Sequence, residues 1–287
     1  MGSNVMKKLL NVLAVAALIF ATSAYAEKGL LWKVEAPTGK VSYLFGTMHS
    51  DDPRINEFSP AIQTAMKSSE TYMMETLPSR DPSIYFMPDG ARLKDLLTEP
   101  EYDKFKELVE YHVMHDEAAN RMKPWLLAVV FDLPKPDTGY SQDAQLYALA
   151  EAQGKEALGL EDLTEHFASL DALSRDEQLT MLRAVLKRSQ AQKERDFELL
   201  LNAYLKGDAN EINKLDDKIT GGMLPKTLWA KMRVKLLDER NVIMAKRAAD
   251  QANNAPTFIA MGASHLAGDN GVIALLRKAQ FKLTAIQ

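Results

Sequence analysis

The chain has 287 residues, 46% of them apolar, with 35 basic and 39 acidic side chains and a net charge of −4. Without a basic excess it has no electrostatic footprint for nucleic acid or for an anionic membrane surface. With no cysteine it can form neither disulfides nor thiolate metal sites, so stability must come from an apolar core, which a chain of this length can build as one domain.

Residues 1–26 read as a signal peptide. Lys7-Lys8 is a short basic start, Leu9 to Phe20 is apolar apart from Asn11, and Ala24-Tyr25-Ala26 is a small-x-small cleavage pattern. The apolar run is shorter than the roughly 20 residues of a spanning helix. Cleavage before Glu27 is therefore expected, with no membrane anchor afterwards, and residues 27–287 are expected to form a single domain. Removing Lys7 and Lys8 takes the net charge from −4 to −6.

In chain order, residues 29–35 and 40–45 read as two strands around Pro37-Thr38-Gly39, an N-terminal β-hairpin. Pro60 to Ser69 suits a short helix with proline in its first turn, and Glu70 to Met74 is an apolar run too short for a helix. Residues 91–118 have helical spacing, divided at Pro100. A further helix is predicted from Pro124, and another over 143–153 closed by Gly154. Glu156 to Leu160 reads as extended. Ser174 to Asn253 predicts three helices, with breaks near Gly207 and Gly221-Gly222. Pro256 to Met261 reads as a buried strand, 272–279 as a helix and Phe281 to Ile286 as a last strand. The alternation predicts an α/β fold: a mainly parallel central sheet flanked by helices, with the hairpin and a large helical insertion at about residues 170–255.

Four apolar runs end, at once or after a tight turn, on residues able to bind a metal or move a proton: His49, Glu75, Glu161 and His265. In an open parallel sheet, ligands bind outside the carboxyl ends of the strands, so these four are expected to share one rim. Two imidazoles and two carboxylates suit zinc, manganese, cobalt or iron, and such an ion activates water. Without a metal the same residues are acid and base. Two of them lie in matching motifs, Gly46-Thr-Met-His49 and Gly262-Ala-Ser-His265, and both glycines are expected to adopt backbone angles closed to other residues.

Each residue also has a structural reading. A histidine after a strand is commonly a cap or a core residue, and a carboxylate at a strand end is commonly solvated. His112 and His115 read as an exposed helix end, His166 as the start of a helix, and Arg240-Asn241 as part of a solvated helix face. Ser264 fails the Gly-x-Ser-x-Gly elbow because Leu266 stands at its last position. No phosphate loop, His-Glu-x-x-His helix or dinucleotide fingerprint is present.

Leu31-Trp-Lys33, Ser42 to His49, Glu75, Gly154-Lys155 through Gly159-Leu-Glu161, Glu239-Arg-Asn241 and Gly262 to Gly268 together resemble the TraB/PrgY/GumN family, whose superfamily includes the Tiki proteins. The resemblance runs through the chain after residue 26. It implies a fold related to the erythromycin esterase and ChaN-like group. From the Tiki branch it implies a metal-dependent peptidase favouring cobalt or manganese. By matching position it implies that His49 and His265 are metal ligands, that Glu75 is a ligand or acid/base group, and that Glu161 and Arg240 are auxiliary polar residues. The PrgY branch, associated with blocking a peptide pheromone, implies instead a protein that only binds a peptide or small ligand, and the GumN name a role in polysaccharide biosynthesis. The leading expectation is a periplasmic or secreted hydrolase acting on a peptide, with Glu75 or Glu161 moving the proton and Arg240 facing the oxyanion.

Overall fold

A computed structural model describes residues 28–79 and 81–286. The predicted signal peptide lies outside the described residues. Among those described, no helix is long and apolar enough to cross a membrane.

Six strands, β1 (Leu31–Glu35), β2 (Val41–Thr47), β3 (Thr71–Met74), β4 (Glu156–Gly159), β5 (Thr257–Gly262) and β6 (Lys282–Ile286), form one sheet in the order β4-β3-β5-β2-β1-β6. β4, β3, β5 and β2 pair in parallel, and β1 is antiparallel to both β2 and β6. The expected α/β architecture, with its hairpin and mainly parallel sheet, is therefore present.

The helices, in chain order, are α1 (Pro53–Asn56), α2 (Pro60–Ser68), α3 (Leu93–Leu96), α4 (Glu99–Tyr111), α5 (Asp116–Arg121), α6 (Pro124–Asp132), α7 (Gln142–Ala152) and α8 (Leu163–Asp171). They continue with α9 (Arg175–Leu186), α10 (Gln190–Leu205), α11 (Ala209–Met223), α12 (Lys226–Arg233), α13 (Glu239–Asn254) and α14 (Val272–Lys278). Side chains alternate across the sheet, because successive strand residues point to opposite faces. Phe258 and Ala260 pack with Ala65 and Met66 of α2 and Leu146 and Ala150 of α7. Ile259 and Met261 pack on the other face with Met244, Ala248 and Ala252 of α13 and Leu276 of α14. Both faces are covered, which is why β5 is an unbroken apolar run.

A second core lies among the helices. It joins Leu93, Phe105, Trp125, Leu127 and Phe131 to Phe167, Leu170, Leu182, Val185 and Leu228. The helical insertion expected at about 170–255 is therefore wider at its start and narrower at its end: α3 to α6 contribute to it, whereas α13 covers the sheet. Apolar spacing marks a buried helix face but does not say against which core it packs.

Five helices, not three, fill 174–254. Two boundaries were missed: Ser189, which forms a capping box with Gln192, and Val234–Asp238 between α12 and α13. Gly221-Gly222 does not break α11, which runs on to Met223 and stops before Pro225. Gly221 is instead a contact point, where an added Cβ would lie 2.7 Å from the Trp229 indole nitrogen. Gly154 does close α7 with φ +68°.

Both motif glycines depart from expectation, since neither has a positive φ. Close packing demands them: a Cβ on Gly46 would lie 2.6 Å from Leu266 Cδ1 and 3.2 Å from Ala263 Cα, and one on Gly262 would lie 3.2 Å from Glu75 Oε1. His112 departs as well. Its ring sits 5.5 Å from Phe131 and 5.1 Å from Tyr111, with Nε2 buried and unpaired.

Two predictions follow from this packing. Gly46→Ala overpacks the turn that follows β5 and should cost about 1–3 kcal/mol, read as a lowered Tm. Burial pushes His112 down to about 4, so as pH falls the unfolded chain takes up this proton first, and the group's contribution to stability declines below its ordinary pKa of 6.5. His112→Phe should therefore lose less Tm between about pH 7 and about pH 4 than the wild type does. An equal loss would show that His112 titrates alike in the folded and unfolded chains.

Candidate functional site

The parallel order β4-β3-β5-β2 places Glu161, Glu75, His265 and His49 in that sequence along one rim of the sheet. Neighbouring strands lie about 4.8 Å apart, so residues at adjacent strand ends are within reach of one another. The ends of β3 and β4 are also tied by backbone bonds, from Leu160 N–H to Met74 O at 2.7 Å and from Glu161 N–H to Glu75 O at 2.8 Å.

Arg240 of α13, expected on a solvated face, is only 6% exposed and lies among these residues. Its Nη2 donates to Glu75 Oε2 at 2.5 Å and lies 2.8 Å from Glu161 Oε2 and 2.9 Å from His166 Nδ1. Its Nε donates to Glu161 at 2.9 Å, and Nη1 reaches His265 Nε2 at 3.3 Å. The turn just before α13, Val234–Asp238, is π-helical, and the Leu236 carbonyl within it accepts from Nη1 at 3.2 Å. Such bulges free carbonyls that a regular helix would occupy, which here seats the guanidinium.

The two motif histidines are supported in parallel ways. His49 Nδ1 lies 2.8 Å from Asp143 Oδ2 of α7, whose other oxygen accepts from Thr47 Oγ1 at 2.7 Å. His265 Nδ1 lies 2.6 Å from Asn241 Oδ1, and Asn241 Nδ2 donates to the Asn270 carbonyl at 2.9 Å. That second bond fixes the amide, so Nδ1 of His265 must be the donor and Nε2 keeps its lone pair, facing Arg240 and, at 3.8 Å, Glu75 Oε1. The loop carrying His49 is held by Tyr204, whose hydroxyl lies 2.8 Å from both the Gly46 carbonyl and Gln142 Oε1 and has one proton to share between them, and by Met48 N–H, which donates to Gln142 Oε1 at 3.0 Å.

The surroundings set the charges. With 62% of its side chain accessible, His49 is raised to about 9 by the Asp143 carboxylate. Burial pushes His265 down to about 4, leaving it neutral at neutral pH. Burial alone would raise Glu75, but the charges of His265, Arg240 and His49 and the Gly262 N–H at 2.6 Å outweigh it and hold the carboxyl well below the usual range. Because His265 is neutral at neutral pH, Arg240, His49 and the amide do this work there. Glu161 is likewise lowered: contacts with His166 and Arg240 overcome its burial.

Among the described residues, Glu75, Glu161 and His166 offer ligand atoms within 4.8 Å of one another, a group able to hold a metal ion. Arg240 Nη2 lies within hydrogen-bond distance of the same three residues, so an ion at their centre would have to displace it. His49, Glu75, Arg240 and His265 also line a cavity of about 500 Å³ that His166 borders. On that side His49, His265 and Glu75 are nitrogen and oxygen donors of the kind a borderline divalent ion takes, but among the described residues only Glu75, Glu161 and His166 bring their ligand atoms within 4.8 Å of one another.

Of the residues singled out by sequence, Glu75, Glu161, Arg240 and His265 are in direct contact, and His49 joins them across the cavity. His166, Asp143 and Asn241 were missed as partners. His166 follows Glu161 by five residues, past the Asp162 cap of α8, a spacing that says nothing until β4 and α8 are placed. Asp143 has no signal beyond its position in the first turn of α7.

A model of the TraB/PrgY/gumN family matches residues 30–285. Similar proteins include an uncharacterized protein of Treponema pallidum, 23% identical over 87% of this chain and 80% of its own length. They also include metalloprotease TIKI2 of Danio rerio, 25% identical over 88% of this chain and 60% of its own length. Metalloprotease TIKI1 of Xenopus tropicalis is 25% identical over 83% of this chain and 58% of its own length. The chain thus spans less than two thirds of the two Tiki proteins. With the family pattern matched from just before β1 into β6, the chain belongs to the TraB/PrgY/gumN family.

Proposed function

We propose that this protein is an exported, metal-dependent hydrolase that cleaves peptide bonds at the rim of its sheet. The observation that carries this reading is the support of the two histidines, each with Nδ1 engaged by an oxygen from a neighbouring helix, beside an ionised Glu75. Such a partner orients an imidazole and frees its other nitrogen for a metal. The metalloprotease names of the Tiki relatives agree with a metal, and the nitrogen and oxygen donors favour manganese, cobalt or zinc. Export rests on the pattern of residues 1–26.

On this reading an ion held from the cavity side by His49, His265 and Glu75 would displace the proton that His49 carries at neutral pH and the contact of Arg240 Nη1 with His265 Nε2, while Glu161 and His166 stay with Arg240. A divalent ion supplies a polarised carbonyl and an activated water. Arg240, braced by two carboxylates, keeps a buried positive charge where negative charge develops on the carbonyl oxygen. Glu161 accepts the proton, and His166, 28% exposed at its side chain, relays it to the leaving amine. A second reading, catalysis without a metal, is favoured by one observation. Arg240 already bonds to the acidic group, and the surroundings push His49 up and His265 down, dividing them into proton donor and acceptor.

Metal analysis of protein purified without chelating resin should find a bound transition ion, lost in His265→Ala and in Glu75→Gln. A peptide library read by mass spectrometry with manganese, cobalt or zinc added should show cleavage, slowed about 100-fold or more in either variant. Cleavage that persists in chelator would replace the first reading with the second, and binding without cleavage would leave only a sequestering role. Arg240→Met strands two buried carboxylates and should cost about 3–5 kcal/mol of stability. Arg240→Lys keeps the charge but not the fork, and should lower kcat more than it raises KM.

A further inference from the structure

The cavity that receives His49, Glu75 and His265 continues into the helical lobe, where its wall is mainly apolar and includes Trp125, Phe167, Met181 and Met232. One residue of that wall is out of place. Lys193 of α10 is 1% exposed, and its Nζ is buried with no hydrogen-bond partner. Among the described residues no other lysine or arginine side chain is buried with an unpartnered nitrogen. The charges that act on it are Asp132 and Arg188, and these are paired with each other, Arg188 also holding Asp196. An unpaired buried cation costs several kcal/mol, and a methionine of similar volume would avoid that cost. Its burial also lowers its pKa, outweighing the attraction of Asp132.

We propose that the lobe side of this cavity is a subsite for a short apolar peptide with a free terminal carboxylate, and that Lys193 Nζ is the anchor for that carboxylate. The proposal rests on the peptidase reading and adds to it a substrate class. The apolar wall takes the side chains, while the carboxylate supplies the partner that Lys193 lacks. The ion pair forms away from water, where it discriminates most strongly against a ligand without the charge.

The test is binding, read from the fluorescence of Trp125 and Trp229, both in the cavity wall. A short leucine and phenylalanine peptide is titrated as the free acid and as the carboxy-terminal amide into wild type and Lys193→Met. The wild type should prefer the acid by about tenfold or more, and Lys193→Met should bind both forms equally, near the wild-type affinity for the amide. Lys193→Met should also have a Tm equal to or above that of the wild type, which a merely structural lysine would not produce. No preference in the wild type, or a preference retained in Lys193→Met, would overturn the proposal. Dodecanoate separates the sources of the carboxylate: Lys193-dependent binding of it, with neither peptide bound, would keep the anchor and overturn the peptide. Because the readout is binding, it is independent of whether the rim residues use a metal.

Discussion

One buried guanidinium organises the rim. Arg240 reaches from α13 to Glu75 after β3, Glu161 after β4 and His265 after β5, and so links one helix to three strand ends at their shared edge. Burying an arginine and two carboxylates is costly, and attraction repays that cost only if each donor and lone pair finds a partner. Here Nε, Nη1 and Nη2 all do, with the Leu236 carbonyl of the π turn and the Gly262 amide completing the set. The cluster therefore constrains position strongly, whatever it adds to stability. Moving α13, or the turn before it, would leave two carboxylates without a counter-charge.

The remaining architecture serves that constraint. α13 can lie close to the sheet because it presents Ala245, Ala248 and Ala252 to it, and close approach lets Arg240 and Asn241 reach over the strand ends. The motif glycines do the same on the strand side. Gly46 lets β2 pass beside Leu266 and Ala263, and Gly262 lets its own amide meet Glu75. The helical lobe, with a core of its own, closes over this rim and forms most of the cavity wall, so the rim provides the chemistry and the lobe the shape.

Much of the sheet was legible. β5 reads as buried because four apolar residues, Phe258 to Met261, run without interruption, and β1 and β2 read as a hairpin from the Pro-x-Gly turn between them. Strand ends were legible too, and they led to His49, Glu75, Glu161 and His265. Arg240 was reached only through the family resemblance, and His166 was not reached as a site residue at all. Both sit on helices whose surface pattern is ordinary, and a helix position acquires meaning only when the neighbouring element is placed. His112 was misread for the same reason, since the polar stretch His115-Asp116-Glu117 just downstream conceals an aromatic neighbour, Phe131, nineteen residues away.

By itself the sequence determined the α/β class of the molecule and the family to which it belongs, because period, turns and strand-end motifs are local properties of the chain. It also determined which strand ends carry imidazoles and carboxylates. Tertiary structure alone decided what those groups are. It brought an arginine from far along the chain into the acidic cluster, raised one motif histidine with Asp143 and lowered the other by burial, and left Lys193 without a partner in an apolar wall. These outcomes depend on desolvation and on the distance between charges, and both are set by packing between elements that are remote in sequence.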